Sequence, residues 1–234
     1  MRTQIHNILA ETGWSGSLPA DVQSEVIASV QSERVTRGHE AIRQGSPFAG
    51  LLCVIEGEMQ VVGTARRGDE LLIGILRPGD WTGFLAALDQ GEYAFSVRAA
   101  RDSRIVRLGA SATRRIFEQG LDRFKLLLRP ELAVSRKNYS YFVETAYRPP
   151  MQRLAERMMG LGRWPYSIVD GEMTKLEELS QADLANAARL SRQTTNTCLR
   201  QMASHGLVRL GYKSVEVLDP VRVGMIANGE ITLE

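Results

Sequence analysis

A change of rhythm near residue 110 divides this chain of 234 residues into two kinds of structure. Between about 33 and 108, short apolar runs alternate with turn signals such as Arg-Gly-Asp at 67–69 and Pro-Gly-Asp at 78–80. Runs at this spacing are typical of antiparallel strands joined by tight turns, because glycine supplies positive φ and proline presets a turn. The sequence therefore predicts an α+β fold that begins with an antiparallel β-roll of the jelly-roll kind.

Four apolar runs are long enough to predict individual strands, and two short helices are expected before them. The strands are expected at 51–55, 59–62, 71–76 and 103–108, and the helices at about 4–11 and 20–31.

From residue 112 the glycines become fewer and helical periodicity takes over. Six residues at alternating spacings of four and three form a heptad seam: Leu128, Leu132, Ser135, Tyr139, Phe142 and Ala146. Because proline loses a hydrogen bond in mid-helix, we expect Pro130 in the first turn and a dimerisation helix over about 130–148. A helix that only covers the roll is the alternative that this periodicity leaves open.

Two consecutive prolines, Pro149 and Pro150, predict a hinge after this helix. We therefore expect an effector-sensing domain with its dimerisation helix over residues 1–149 and a second domain over residues 150–234.

The second domain carries the signature of two short capped helices. Ser180 and Asp183 stand at the spacing of a capping box, and Ser191 is placed to cap a second helix that ends at Gly206. Two such helices with a tight turn predict a helix-turn-helix. The runs at 207–210 and 215–218, on either side of a glycine turn, predict a winged form of it.

The distribution of charge indicates the partner. A net charge of +2 does not by itself argue for a nucleic-acid partner. Between residues 184 and 215, however, the chain has five cationic side chains and no acidic one. A solvated helix in a generic domain is the alternative. We predict that this stretch binds double-stranded DNA. The expected DNA-binding residues are Ser180, Gln181, Ser191, Arg192, Gln193, Thr194, Asn196, Thr197, Arg200 and Lys213.

The order of β-roll, long helix, proline hinge and winged helix-turn-helix resembles the cyclic-AMP receptor/fumarate-nitrate regulator (CRP/FNR) family of bacterial transcription regulators over essentially the whole chain. The stretches that carry the resemblance are 54–58, 76–83, 153–155, 181–194 and 205–208. It implies a homodimer on a two-fold symmetric DNA site, with one recognition helix per half-site. RNA polymerase is a further partner that the resemblance allows. No residue spacing in the sequence predicts the surface that would contact it.

The resemblance also implies roles for individual residues. In the family, the residues that match Arg192, Gln193 and Thr197 face base edges. Thr197 replaces an arginine that is common in cyclic-AMP receptors, so we expect a different half-site. Ser191, Thr194 and Lys213 are expected to contact phosphates.

The cyclic-nucleotide pocket is where this sequence departs from the family. Members that bind cyclic nucleotides hold the ribose with a glutamate and the phosphate with an arginine beside a serine or threonine. Phe84 stands at the glutamate position, and Tyr93 and Ala94 stand at the pair. Since none of the three can neutralise a phosphate, we expect another effector, or none. A cyclic-nucleotide regulator with an atypical pocket and a regulatory module without DNA contact are the alternatives.

An apolar or aromatic small molecule is the effector that these residues suggest, although rings that simply fill the roll explain them equally well. The expected pocket residues are Gly83, Phe84, Leu85, Ala86, Tyr93, Ala94, Asn138 and Tyr139.

Residues for catalysis or for a resident cofactor are scarce. Cys53 and Cys198 are too few for an iron–sulfur cluster, and His6, His39 and His205 are too scattered for a cupin-type metal enzyme. His39 is more typical of an exposed turn than of a haem ligand. We expect no catalytic residue, no metal and no cofactor. No apolar run is long enough to span a membrane, so we expect a cytoplasmic protein without membrane contact.

Overall fold

The computed structural model describes residues 2–161, 175–177, 180–212 and 214–233. These residues divide into two compact units, one within 1–138 and the other from 139 onward, which also takes in 71–74. The predicted α+β fold is confirmed. The division falls within the long helix, and the domain boundary at the two prolines stays a prediction.

Three helices precede the roll: α1 (Arg2–Glu11), α2 (Gly13–Gly16) and α3 (Ala20–Ser29). They contribute to the core through Trp14 of α2, whose ring centroid lies 5.2 Å from that of Trp81 and 5.5 Å from that of Phe117. Both predicted helices are present. The second ends before Gln31, because that residue already belongs to a strand.

Eight strands form the roll: β1 (Gln31–Val35), β2 (Glu40–Ile42), β3 (Gly50–Glu56), β4 (Met59–Thr64), β5 (Glu70–Leu76), β6 (Trp81–Thr82), β7 (Ser96–Ala99) and β8 (Ser103–Gly109). They make two four-stranded sheets with the orders β1-β8-β3-β6 and β2-β7-β4-β5. All four predicted strands occur. Strand β3 is buried from Gly50 to Ile55, which explains why it reads as an uninterrupted apolar run rather than an alternating one.

Three helices are associated with the strands: α4 (Phe84–Asp89), α5 (Ala110–Phe117) and α6 (Leu121–Tyr147). The expectation that the long helix begins near Pro130 is wrong, because α6 begins more than two turns earlier and contains Pro130 in its interior. Proline leaves the carbonyl of Leu126 without its helical donor. The indole Nε1 of Trp14 donates to that oxygen at 2.8 Å, so a tertiary hydrogen bond replaces the lost one.

The second unit contains α7 (Pro150–Leu161), β9 (Lys175–Glu177), α8 (Gln181–Ala188), α9 (Arg192–Ser204), β10 (Val208–Gly211), β11 (Ser214–Val217) and α10 (Pro220–Asn228). Strands β10 and β11 are the predicted wing. Strand β9 pairs with β11 and completes a three-stranded antiparallel sheet that the sequence did not predict. No helix within the described ranges is long and apolar enough to cross a membrane.

Candidate DNA-binding surface and ligand cavity

Side-chain caps define the start of both helices in the helix-turn-helix. Ser180 Oγ accepts a hydrogen bond from the Asp183 amide at 3.1 Å, and the Asp183 carboxylate accepts one from the Ser180 amide at 2.8 Å. This reciprocal pair is the predicted capping box. Ser191 Oγ accepts from the Thr194 amide at 3.0 Å, so the predicted second cap is also present.

The turn between α8 and α9 is held by an arginine of α7. Arg189 ends α8 in the left-handed conformation, with φ 53°. Arg153 Nη2 donates to the carbonyl oxygens of Ala188 and Arg189, both at 2.7 Å. Carbonyls at a helix C-terminus lack intrahelical donors, and the guanidinium supplies them. The sequence marked 153–155 only as part of the family resemblance, and this positioning role of Arg153 was missed.

Arg153→Ala is expected to lower the free energy of unfolding by about 2–4 kcal/mol, because two hydrogen bonds from a charged donor are lost. Urea denaturation followed by circular dichroism measures the change. Arg192→Ala is the control, since Arg192 is exposed and its removal should leave the unfolding midpoint in place. An unchanged midpoint for Arg153→Ala would show that the turn does not depend on this side chain.

Helix α9 has a packed face and an open face, as its sequence predicts. The packed face consists of Thr195, Cys198, Leu199 and Met202, all buried. Burial also raises the pKa of the Cys198 thiol. Of the six expected DNA-binding residues on α9, Thr194 and Asn196 are half-buried, and four are exposed: Arg192, Gln193, Thr197 and Arg200. The open face therefore presents hydrogen-bond donors and no carboxylate.

Thr197 uses its hydroxyl within the helix. Its Oγ1 donates to the Gln193 carbonyl at 3.1 Å, which leaves the oxygen lone pairs and the methyl group for an outside contact. In the major groove, thymine offers a methyl group to an apolar partner of this kind.

The start of α9 is suited to a phosphate. The Ser191 hydroxyl caps the helix and lies 2.8 Å from the Thr194 hydroxyl, while the first backbone amides of a helix lack intrahelical acceptors. Gln181, in the first turn of α8, is exposed. Lys213 lies outside the described residues, so its phosphate contact in the wing stays a prediction.

A cavity of about 180 Å³ lies within the first unit. Seven of the eight residues expected in the effector pocket line it: Gly83, Phe84, Leu85, Ala86, Tyr93, Ala94 and Asn138. Tyr139 is not among the lining residues, and its side chain is 73% exposed. The sequence did not indicate the other walls, to which Ile42, Trp81, Thr82, Phe95, Val97, Glu131 and Val134 contribute.

Phe84 and Tyr93 stand where the family's cyclic-nucleotide pocket has polar residues, and both are held by contacts within the protein. The Tyr93 hydroxyl donates to the Gly50 carbonyl at 2.6 Å and accepts from the amides of Gly50 and Ala49 at 2.9 and 3.1 Å. Phe84 is buried, and its ring lies 5.0 Å from that of Trp14 in an edge-to-face contact. Neither side chain therefore offers a free polar group to a ribose or a phosphate.

Glu131 is the one charged side chain that the described residues contribute to the lining. It is half-buried, and loss of solvent raises the pKa of its carboxyl above the ordinary value. The heptad pattern predicted only the dimer seam of α6. Tertiary packing determines which other residues of α6 face the cavity. No local sequence signal identifies Glu131.

The predicted seam on α6 carries large apolar side chains that the chain itself leaves exposed. Phe142 is 75% exposed, Leu132 and Tyr139 are also exposed, and Leu128 and Ser135 are half-buried. The side chain of Ala146 lies outside what the structure describes. A dimer contact through this seam stays a prediction.

The histidine and cysteine residues that were considered as metal ligands do not form a metal site in the described part of the chain. Within the described ranges, no group of three or more histidine, cysteine, aspartate or glutamate side chains could hold a metal ion. His39 is exposed, and its Nδ1 lies 2.8 Å from Thr36 Oγ1. Burial raises the pKa of the Cys53 thiol well above its ordinary value, which keeps the thiol protonated.

Comparison with known proteins agrees with this architecture. The cyclic nucleotide-binding domain family matches residues 32–120, and the Crp-like helix-turn-helix domain family matches residues 152–223. Together with the capped helices and the wing, these matches define a transcription regulator with a helix-turn-helix DNA-binding domain.

Relatives over nearly the full length agree with the two domain families. A CRP-like cAMP-activated global transcriptional regulator of Mycobacterium tuberculosis is 25% identical over 216 residues, which cover 92% of this chain and 96% of the relative. The cyclic AMP receptor protein of Thermus thermophilus is 26% identical over 219 residues, with coverages of 92% and 95%. The fold of FixK2 from Bradyrhizobium japonicum matches with a TM-score of 0.68 at 14% identity, covering 84% of this chain and 96% of that one. The chain belongs to the CRP/FNR family, as its sequence predicted.

Proposed function

We propose that this transcription regulator is a homodimer that binds a two-fold symmetric DNA site and responds to a small molecule other than a cyclic nucleotide. The contacts of Phe84 and Tyr93 support the proposal that the effector is not a cyclic nucleotide. Both occupy positions where a cyclic-nucleotide pocket needs polar groups, and both are engaged in packing or in hydrogen bonds to the backbone. The alternative is a regulator that has no effector and binds DNA constitutively.

The open face of α9 supports the DNA-binding part. Arg192 and Gln193 follow the Ser191 cap and lie exposed in the first turn, where a recognition helix reads bases. A mobility-shift experiment with genomic fragments tests this directly. Absence of any shifted fragment would favour a regulatory module that does not contact DNA.

The seam on α6 supports the homodimer. Phe142 and Tyr139 are large, aromatic and exposed, and burying them against a second copy removes apolar surface from water. Sedimentation of the full chain measures the oligomeric state. RNA polymerase is a further proposed partner, to which we assign no surface.

Cyclic AMP and cyclic GMP, at millimolar concentration, are expected neither to bind detectably nor to change the affinity for DNA. Phe84 cannot accept a hydrogen bond from a ribose hydroxyl, and the only charge described in the cavity, on Glu131, repels a phosphate. Isothermal titration calorimetry checks the binding, and a mobility shift with and without nucleotide checks the response. Micromolar binding would instead establish the alternative suggested by the names of the mycobacterial and Thermus relatives, a cyclic-nucleotide regulator with an atypical pocket.

A further inference from the structure

We propose that the cavity of the first unit binds a small molecule with an aromatic body and a positively charged amine, and that Glu131 pairs with the amine. The inference rests on the proposed function, because it names the class of effector for the same pocket. It differs from the family's ligand in both shape and sign of charge.

The volume of the cavity sets the size of this ligand. An engineered protein cavity of about 150 Å³ binds one benzene molecule. The space here, about 180 Å³, therefore suits a single aromatic ring with a short chain.

The walls of the cavity suit an aromatic body. Trp81, Phe84 and Val97 are buried and line it, while Leu85 and Phe95 line it with part of their apolar surface exposed to solvent. A ligand that covers these last two side chains removes that surface from water, which favours binding.

Glu131 supplies a charged side chain to the lining of the cavity. Three α6 residues at spacings of three and four, Glu131, Val134 and Asn138, contribute to the lining from one face of the helix. In the described part of the chain, Glu131 makes no ion pair or hydrogen bond, and partial burial raises its pKa. A cation in the cavity compensates a carboxylate that has lost solvent, whereas an anion adds a second negative charge.

The other ionisable groups near the cavity are already satisfied. Tyr93 uses its hydroxyl on the backbone of Gly50, and Arg107, which interacts with Tyr93, forms a bidentate pair with Glu33 at 2.9 and 3.3 Å. Neither competes with a ligand for the carboxylate of Glu131. This leaves Glu131 as the residue that sets the sign of charge.

Three probes of similar size separate shape from charge: phenethylamine, phenethyl alcohol and phenylpropionate. Calorimetry on the full-length protein near neutral pH is expected to show phenethylamine binding about tenfold or more tightly than the alcohol, with no binding of the carboxylate. Glu131→Gln is expected to reduce the affinity for the amine to that for the alcohol, and to leave the alcohol itself unchanged. Thermal unfolding of the variant verifies that it is folded.

Glu118→Gln is the matched control, because Glu118 is exposed at the end of α5 and does not line the cavity. This variant should keep the preference for the amine. The inference is overturned if the amine preference survives in Glu131→Gln, if phenylpropionate or cyclic AMP binds as tightly as the amine, or if none of the three probes binds at millimolar concentration.

A mobility shift on the same preparations separates this inference from the proposed function. Protein that shifts its DNA but binds no probe is a regulator with a different effector or none. Protein that binds phenethylamine but shifts no genomic fragment contradicts the proposed DNA-binding function and leaves the ligand class standing.

Discussion

Phe142→Glu is expected to convert the proposed dimer to monomers and to abolish DNA binding at concentrations where the unchanged protein is fully bound. In the proposed dimer, the two-fold axis places two carboxylates at an apolar contact, and each unpaired buried carboxylate costs several kcal/mol. Since about 1.4 kcal/mol corresponds to a tenfold change in affinity, dimerisation should weaken by several orders of magnitude. Sedimentation velocity measures the dissociation.

Loss of DNA binding follows from loss of the dimer, because a monomer contacts only one half-site. Linking two binding modules raises overall affinity by about 10²–10⁴ over that of one module, and a monomer loses this gain. Phe142→Leu is the control, since it keeps an apolar side chain at the seam and should preserve the dimer. A dimeric Phe142→Glu protein would show that the exposed seam of α6 has another purpose.

The helix-turn-helix was predictable from the sequence because its signals are local. A capping box spans four residues, so Ser180 and Asp183 reveal a helix start without any knowledge of the rest of the chain. The same holds for Ser191 and for the glycine turn of the wing. Strand β9 was missed because three residues, Lys175–Glu177, are too short to show a period, and they form a strand only through pairing with β11.

The start of the long helix could not be predicted for the opposite reason. Local rules place proline in the first turn, and Pro130 follows that rule in every respect visible in the sequence. What allows the helix to pass through it is a hydrogen bond from Trp14, which is more than a hundred residues away, to the Leu126 carbonyl. Tertiary context therefore outweighs a local preference that is correct in isolation.

The cavity shows the same division between local and non-local information. The family resemblance identified Gly83 to Ala86 and the pair Tyr93 and Ala94, because those positions follow recognisable stretches. It did not identify Glu131, which no family pattern marks and which joins the lining through the packing of α6. Resemblance thus locates a pocket, while the packing identifies further residues that line it.

Arg192→Ala is expected to weaken binding to the preferred site by about 1–3 kcal/mol and to remove the preference at one base pair per half-site. Its guanidinium can pair with O6 and N7 of guanine, and the side chain is exposed in the first turn of α9. Gln193 can pair with N6 and N7 of adenine in the same way. Selection of bound sequences from a random pool, with each variant in turn, measures the preference.

Lys213→Ala is the contrasting variant, because a wing lysine is expected to contact phosphate, which positions the protein without reading sequence. It should weaken binding to all sequences alike and make the dependence of log affinity on log salt shallower by roughly one counterion per subunit. Titrations at several salt concentrations measure that slope. If Lys213→Ala changed the selected sequence while Arg192→Ala left it intact, the wing would read the bases, and α9 would merely hold the duplex.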